Sequence, residues 1–424
     1  MEIKNFKEYV WTEAFEQTLE KLYGPHQIET QRIRYLNLLT RFQEVVPEVE
    51  DFDVFSASGR IEVGGNHTDH QLGRVLAMAV DLDTLAFVRK NEDNVIRLVS
   101  KDYAIAPVIL DDLAIREDEY YTTMGIIRGL ANYFKEIHGQ VGGFDAYVES
   151  NVLSGSGMSS SASVEVLIAK ILDTYYGSDQ LSVSDYAILS QKAENNYFNK
   201  PCGLMDQMVI AHGGFCAIDF YDKANPKVER IDSRGMLEDM DVCLVQSGGS
   251  HADLSDDYAE ITKDCKVLSQ YFKEEYLSRV AFDTFYAELP KLHESMDTRI
   301  ILRGYHFFKE NERVLDLMQA LEHQDLRRFM DHIIASGNSS YHYLQNVLNK
   351  RDSKQGLALA LMLAEHHLEN RGAWRVHGGG FAGTILMFVP KAKTKELKKA
   401  FEDVFGLNSF MQIRLREEGV IQVL

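Results

Sequence analysis

The run Gly155-Ser156-Gly157-Met158-Ser159-Ser160-Ser161 sits between a β-rich segment, residues 144–152, and an amphipathic stretch. That stretch places Val164, Leu167, Ile168, Ile171 and Leu172 at helical spacing. The chain is therefore committed to a strand that enters a glycine–serine loop and leaves it as a helix. Small residues let a backbone approach an anion closely, and a helix N-terminus points unpaired N–H groups at it. The loop reads as a phosphate cradle, with serine hydroxyls as added donors and metal ligands. It is not a P-loop, because no Gly-Lys-Ser/Thr follows. A serine-rich helix cap is the alternative reading.

Charge narrows the partners. The 424 residues include 45 basic and 64 acidic ones, for a net charge of −19. This argues against nonspecific binding to nucleic acid or to an anionic membrane surface, and leaves small molecules. A phosphate ligand stays open, since a local cradle and a magnesium ion reverse the local field. Length predicts about two to three domains. Cys202, Cys216, Cys243 and Cys265 are widely spaced with no Cys-x-x-Cys pair, so neither a zinc site nor a disulfide scaffold is expected. No signal-peptide core and no membrane-length apolar run is found. A reduced, cytoplasmic protein is the expectation.

Residues 1 to about 48 read as helical, with Trp11, Phe15, Thr18, Leu19 and Leu22 on one stripe and Ile33, Leu36, Leu38 and Leu39 on a second. Residues 54–63, 75–88 and 95–99 read as strands around a turn at Gly64-Gly65-Asn66. Helices are predicted over 121–137, from the loop to about 177, from a capping box at Ser182 and Asp185 to about 197, and over 204–211. Strands follow at 215–220, 228–231 and 242–246, then helices from 255 to about 368. The chain closes with a strand at 382–389, a helix over 394–405 with Thr394 as N-cap, and a strand at 410–415. Strands and helices mixed without strict alternation predict an α+β fold of two domains.

Four constellations carry chemistry. Gly59-Arg60-Ile61-Glu62-Val63-Gly64-Gly65-Asn66-His67-Thr68-Asp69-His70 packs polar side chains into one turn, as sugar hydroxyls demand. A zinc site at His67, Asp69 and His70 and a simple polar turn are the alternatives. The Gly155–Ser161 cradle is the second. The third is Asp206 in Gly203-Leu204-Met205-Asp206-Gln207-Met208, an acid in an apolar stretch that must be paired, hydrogen-bonded or facing a cleft. Glu194 by itself reads as a surface carboxylate. The fourth is His377-Gly378-Gly379-Gly380-Phe381-Ala382-Gly383, whose glycines imply tight backbone contact.

Together these segments resemble the GHMP kinase superfamily and, within it, the galactokinases. The family's sugar signature, Gly-Arg-Val-Asn-Leu-Ile-Gly-Glu-His-Thr-Asp-Tyr, is met in register by Gly59-Arg60 and His67-Thr68-Asp69. The motif Gly-x-Gly-Leu-Ser-Ser-Ser-Ala-Ser is met by Gly155 to Ser163 with Met158 for Leu, and Gly-Ile-Met-Asp-Gln by Gly203 to Gln207. Gly378 to Gly383 meets the C-terminal glycine motif with Ala382 for one glycine, and Arg303 to Arg313 resembles the galactokinase C-terminal domain. The likeness covers about residues 52 to 390.

The resemblance implies a two-domain GHMP kinase fold, with a helical extension over 1–50, an N-terminal domain over 51–235, a C-terminal domain over 236–424 and the active site between the domains. The extension is expected to cover the second domain or to mediate contacts between subunits. The implied reaction is phosphorylation of the anomeric hydroxyl of galactose by ATP with Mg²⁺. Asp206 would take the proton and Arg60 would stabilise the transferring phosphoryl group. Ser161 and Glu194 would bind Mg²⁺, and Gly155, Ser156, Gly157, Met158, Ser159, Ser160 and Ser161 would wrap the ATP phosphates. Asn66, His67, Thr68, Asp69, Gly203 and Tyr258 would line the sugar pocket.

The departures bear on the sugar. Asn66 replaces the family's Glu where the C6 hydroxyl is expected, His70 replaces its Tyr, and Ser250 stands where Arg precedes His251. The Asp-Tyr-Glu-Val-Ser-like run is missing near 343–350. Loss of the carboxylate removes repulsion toward a C6-oxidised sugar such as galacturonate, which is the alternative substrate. A non-catalytic sugar and ATP sensor is the alternative role.

Overall fold

A computed structural model describes the chain except for residues 48, 102, 104, 154–156, 249–254, 350–352 and 382. Helices α1 (Ile3–Tyr9), α2 (Glu13–Tyr23) and α3 (Ile28–Val45) form an outer layer. Thr12 caps α2 by accepting from the Phe15 amide at 3.4 Å, and Gly24 ends it. Phe15, Leu19 and Leu22 are buried as their spacing predicts, but Trp11 and Ile33 are exposed; Tyr35 and Phe42 take the inward positions instead.

Strands β1 (Asp53–Gly64), β2 (Arg74–Lys90), β3 (Val95–Ser100) and β4 (Val108–Ile109) lead to α4 (Thr123–His138) and β5 (Phe144–Ser150). Then come α5 (Ser160–Leu172), α6 (Val183–Asn196) and α7 (Met205–His212), and strands β6 (Phe215–Asp219) and β7 (Lys227–Ile231). The Ser182–Asp185 capping box forms as read. Alternation along the strands splits one sheet between two cores. Val54, Leu85, Phe87 and Tyr147 point to the α1–α3 layer, where Phe52 and Phe87 stack at 5.4 Å and Phe15 meets Tyr35 at 5.3 Å. Phe55, Ala57, Ala86, Val88, Ala146 and Val148 point to α4–α7. The extension therefore covers the first sheet, not the second domain, because Val54 of β1, Leu85 and Phe87 of β2 and Tyr147 of β5 need that face closed. Each buried Phe contributes on the order of 2 kcal/mol. Beneath the layer, fully buried Asp83 accepts from Arg34 Nη1 and Tyr23 Oη, both at 2.7 Å, and from Arg416 at 3.3 Å. This ties the layer, β2 and the chain's last segment together.

The second half holds β8 (Met240–Gln246), α8 (Ser255–Tyr271), α9 (Phe282–Ala287), α10 (Leu289–Ser295), α11 (Thr298–Glu322), α12 (Leu326–Ser339) and α13 (Gly356–Leu368). It ends with β9 (Ala373–Val376), β10 (Thr384–Pro390), α14 (Lys391–Phe405), β11 (Phe410–Ile413) and β12 (Ile421–Gln422). Thr394 is not an N-cap: α14 starts after Pro390, and the Thr394 hydroxyl donates to Asp241 at 2.6 Å. The second sheet runs β11-β8-β10-β9, with α13 and α14 on one face and α11 and α12 on the other. Val314, Leu317, Phe329 and Ile333 of α11 and α12 share a core with Ile61, Val63 and Met78 of the first sheet and with Leu244, Leu386 and Phe388 of the second. These two helices are the wedge that sets one sheet against the other. The tail then returns, and β12 pairs with β1 at Ser56↔Ile421.

Candidate functional site

The cradle lies between β5 and α5. Gly155 and Ser156 fall outside the described residues. Gly157 (φ 80°) and Ser159 (φ 58°, ψ 60°) are left-handed, which turns the backbone sharply into α5. At Gly157 that conformation disfavours a residue with a side chain, and a Cβ would lie 3.1 Å from the His377 ring. Met158 is fully buried in the inter-sheet core, so its side chain anchors the loop, and its carbonyl accepts from the Arg60 amide at 3.2 Å. Ser160 is half-buried. Ser161 is exposed, and its hydroxyl has no protein hydrogen bond among the described residues.

Three distant segments converge here. Asp206 stands in the first turn of α7, Arg60 on β1 and Ser159 at the start of α5. Arg60 Nε donates to Asp206 Oδ1 at 2.9 Å, and its Nη2 lies 2.6 Å from the same oxygen. Arg60 Nη1 donates to the Gly157 carbonyl, and the Ser159 hydroxyl donates to Asp206 Oδ2. The guanidinium thus spans the carboxylate and the cradle. The Arg60 side chain is 10% exposed and that of Asp206 30%, so the pair opens to solvent at the carboxylate.

The polar turn between β1 and β2 divides by function. Thr68 is buried, and its hydroxyl donates to the Gly65 and Arg74 carbonyls at 2.8 and 2.5 Å, closing the loop. Asn66 is 1% exposed. Its amide donates to Glu62 Oε1 at 2.9 Å and to the Gly378 carbonyl at 2.8 Å, and accepts from Asn346 and Ser340 at 2.9 and 3.2 Å. Placed in the sugar pocket by sequence, this amide is saturated within the protein. Glu62 also receives Arg375 Nη2 at 2.7 Å; burial nevertheless holds its carboxyl above the ordinary value. From α11, Glu310 accepts from the Gly65 amide at 3.0 Å, and His306 Nε2 donates to the Asn66 carbonyl at 2.9 Å.

The side chains left for a ligand are fewer. His67 Nε2 donates to the Gly379 carbonyl at 3.0 Å, and its ring lies nearly parallel to Tyr258, 6.4 Å away. Tyr258 Oη donates to the Gly380 carbonyl at 2.9 Å. Asp69 is half-buried, and its carboxylate has no hydrogen bond among the described residues. It lies 2.8 Å from where a Cβ on Gly203 would sit, so only glycine leaves that wall open. The glycine run 378–380 thus contacts the sugar-signature loop through the Gly378 and Gly379 carbonyls, and Tyr258 of α8 through the Gly380 carbonyl. No zinc site exists at His67, Asp69 and His70: one imidazole is spent on Gly379, and among the described residues no three His, Cys, Asp or Glu side chains are grouped for a metal.

Glu194 is 3% exposed rather than on the surface. Its Oε1 pairs with Lys200 Nζ at 2.9 Å, and Gln207 Nε2 donates to its Oε2 at 2.9 Å. The same Gln207 nitrogen donates to Glu165 Oε2 at 3.1 Å. Burial, then the nearby Glu194, push Glu165 well above the ordinary carboxyl value. Glu165 lies one turn beyond Ser161 on the same face of α5. Glu165 Oε1 and Gln207 Oε1 are buried without a partner. An all-oxygen set of this kind, offering one carboxylate and a free hydroxyl rather than a full cage, suits a hard divalent cation that keeps its phosphate and water ligands. Glu165 and Arg375 escaped the sequence reading, and Gln207 entered it only as part of a motif, without a role. Only the four-residue spacing from Ser161 pointed to Glu165, and nothing local pointed to Arg375.

Residues 125–214 match the GHMP kinases N terminal domain, and residues 40–90 match the galactokinase galactose-binding signature. A galactokinase of Lactobacillus helveticus is 29% identical over 356 residues, 82% of this chain and 88% of that protein. Among solved structures, Lactococcus lactis galactokinase complexed with galactose superposes with a TM-score of 0.76 at 22% identity, covering 92% of this chain and 100% of that one. Mevalonate kinase of Methanococcus jannaschii gives 0.62 at 15% identity, covering 86% and 98%. No helix among the described residues is long and apolar enough to cross a membrane.

Proposed function

We propose that this chain, which carries a GHMP kinase N-terminal domain and the galactokinase galactose-binding signature, transfers the γ-phosphoryl group of ATP to the anomeric hydroxyl of galactose. The observation that carries this reading is the meeting of Asp206, Arg60 and the 157–159 turn, joined by direct hydrogen bonds although they lie far apart in sequence. Phosphoryl transfer asks a protein for positioning and charge neutralisation more than for covalent work. Asp206 accepts the proton of the attacking hydroxyl. Arg60, fixed on the Gly157 carbonyl, sits where charge develops on the transferred group. Left-handed Gly157 and Ser159 and the start of α5 receive the phosphates. His67, Asp69, Gly203 and Tyr258 line the sugar side. Ser161 and Glu194 would hold Mg²⁺, which would supply charge neutralisation across the phosphates.

A C6-carboxylated sugar is the second reading, favoured by one observation. Position 66 offers a saturated amide, and the Glu62 carboxylate behind it is engaged by Arg375. The test is ADP formed with galactose, galacturonate, glucose and N-acetylgalactosamine. Galactose turned over best supports the main reading, and galacturonate turned over best replaces it with the second. Binding of galactose and ATP without ADP release, read by calorimetry, would leave a sensor instead.

A further inference from the structure

We propose that Lys200 is a tethered cation that competes with a divalent ion for the Glu194 carboxylate, so that the chain takes its metal as the nucleotide complex in preference to the free ion. This rests on reading Glu194 as the metal-binding carboxylate.

The two oxygens of Glu194 are held differently. Oε2 is turned into the protein, on Gln207, whose amide also serves Glu165. Oε1 carries the Lys200 ammonium at 2.9 Å, and that side chain is 54% exposed against 3% for Glu194. An ion arriving from solvent therefore meets the oxygen that Lys200 already holds. The lysine is kept close by its backbone. Its amide donates to the Glu194 carbonyl at 3.2 Å, Asn199 before it is left-handed, and the Cys202 amide after Pro201 donates to Asn195 Oδ1 at 2.7 Å. A tether this short gives the ammonium a high effective concentration at one carboxylate. No other Lys or Arg pairs with Glu194 among the described residues. Displacement by a free ion leaves the half-exposed ammonium with water alone as its partner. Displacement by a metal–nucleotide complex does not, because phosphate oxygens arrive as replacement acceptors for a compact, three-donor charge.

The probe is Mn²⁺, titrated into the full chain without turnover and read as free ion by electron paramagnetic resonance, with and without a non-hydrolysable ATP analogue. Lys200→Met is expected to bind free Mn²⁺ roughly fivefold tighter, the scale of an ion pair with one half-exposed partner. The gain in Mn²⁺ affinity on adding the analogue should shrink in the same variant. Lys200→Arg should stay within about twofold of the parent, since the charge is kept. Equal or weaker Mn²⁺ binding by Lys200→Met overturns the proposal, because a lysine that merely clamps the carboxylate would give that sign. Glu194→Gln separates the two levels. Its losing Mn²⁺ while Lys200→Met is unchanged overturns the competition alone. Its binding Mn²⁺ like the parent overturns the metal reading, and the competition with it.

Discussion

Replacing Asn66 by Glu should destabilise the fold far more than a change in a sugar-contacting side chain would. Asn66 Nδ2 donates to Glu62 Oε1 at 2.9 Å, so the new carboxylate faces an existing one inside the protein. Two such charges about 3.5 Å apart repel by about 5 kcal/mol at an effective dielectric near 20. Protonation limits the cost. Keeping one carboxyl neutral at pH 7, about 2.7 units above the ordinary glutamate value, takes about 4 kcal/mol. Losing the donor to the Gly378 carbonyl adds about 1 kcal/mol. Arg375, at 2.7 Å from Glu62, recovers part of this, which leaves about 3–5 kcal/mol. Glu62→Asn on top should return about 2 kcal/mol, since an amide at 62 again faces a carboxylate at 66. Denaturant unfolding of the parent, both single variants and the double variant gives the coupling. The pH dependence supplies a second check. In Asn66→Glu the folded state keeps a proton that the unfolded chain releases, so its stability falls as pH rises. Its deficit should be about 2 kcal/mol smaller at pH 5.5 than at pH 7. An additive double-mutant cycle, or a deficit equal at both pH values, refutes the account of a buried, charge-sensitive network.

Asp206→Asn should lower turnover by at least ~10²-fold while calorimetry still finds nucleotide binding; near-parental activity would remove Asp206 from the chemistry. Gly203→Val places carbon within 2.8 Å of Asp69 Oδ2, so the sugar KM should rise by about tenfold or more with the ATP KM unmoved. Burial holds His306 at about 4, against 6.5 when unfolded, so the unfolded chain takes up the proton first. Its stabilising contribution, up to ~3 kcal/mol, is present above pH 6.5 and is lost as pH falls toward 4; melting of His306→Gln against the parent across that range should show a flatter profile.

Much of the first sheet could be read from the sequence because local signals and burial agree there: the β-rich runs that form β1, β2 and β5, and the Ser182–Asp185 box. The misreadings have a common cause. Trp11 and Ile33 carry apolar faces that the layer does not need, and Thr394 could cap a helix only if Pro390 did not start it earlier. Pattern reading sees a residue's type and not its partner. Asn66 and Glu194 show the same limit inside the site. One was assigned to a ligand and is saturated by four protein contacts; the other, to which only the resemblance gave a metal, reads by itself as surface and is buried under Lys200. Arg60 and Asp206 fared better, because an acid in an apolar helix must have a partner and few chemistries supply one.

The sugar-signature loop and the packing of the two sheets depend on the same helix face. His306, Glu310 and Leu317 are buried along α11. The first two hold the loop's backbone, and Leu317 joins the inter-sheet core, its Cδ1 only 2.5 Å from where a Cβ on Gly64 would be. Truncating that leucine removes the wedge's contact at the strand end from which the loop departs. Leu317→Ala should therefore cost about 2–4 kcal/mol, as buried large-to-small changes do. It should also raise the sugar KM several-fold through displacement of the 65–69 backbone, although residue 317 touches no ligand. A rise in sugar KM that is reversed by Leu317→Met, with the ATP KM unchanged throughout, would show that the wedge sets loop geometry. Lost stability with an unaltered sugar KM would mean that Glu310 and His306 hold the loop without it.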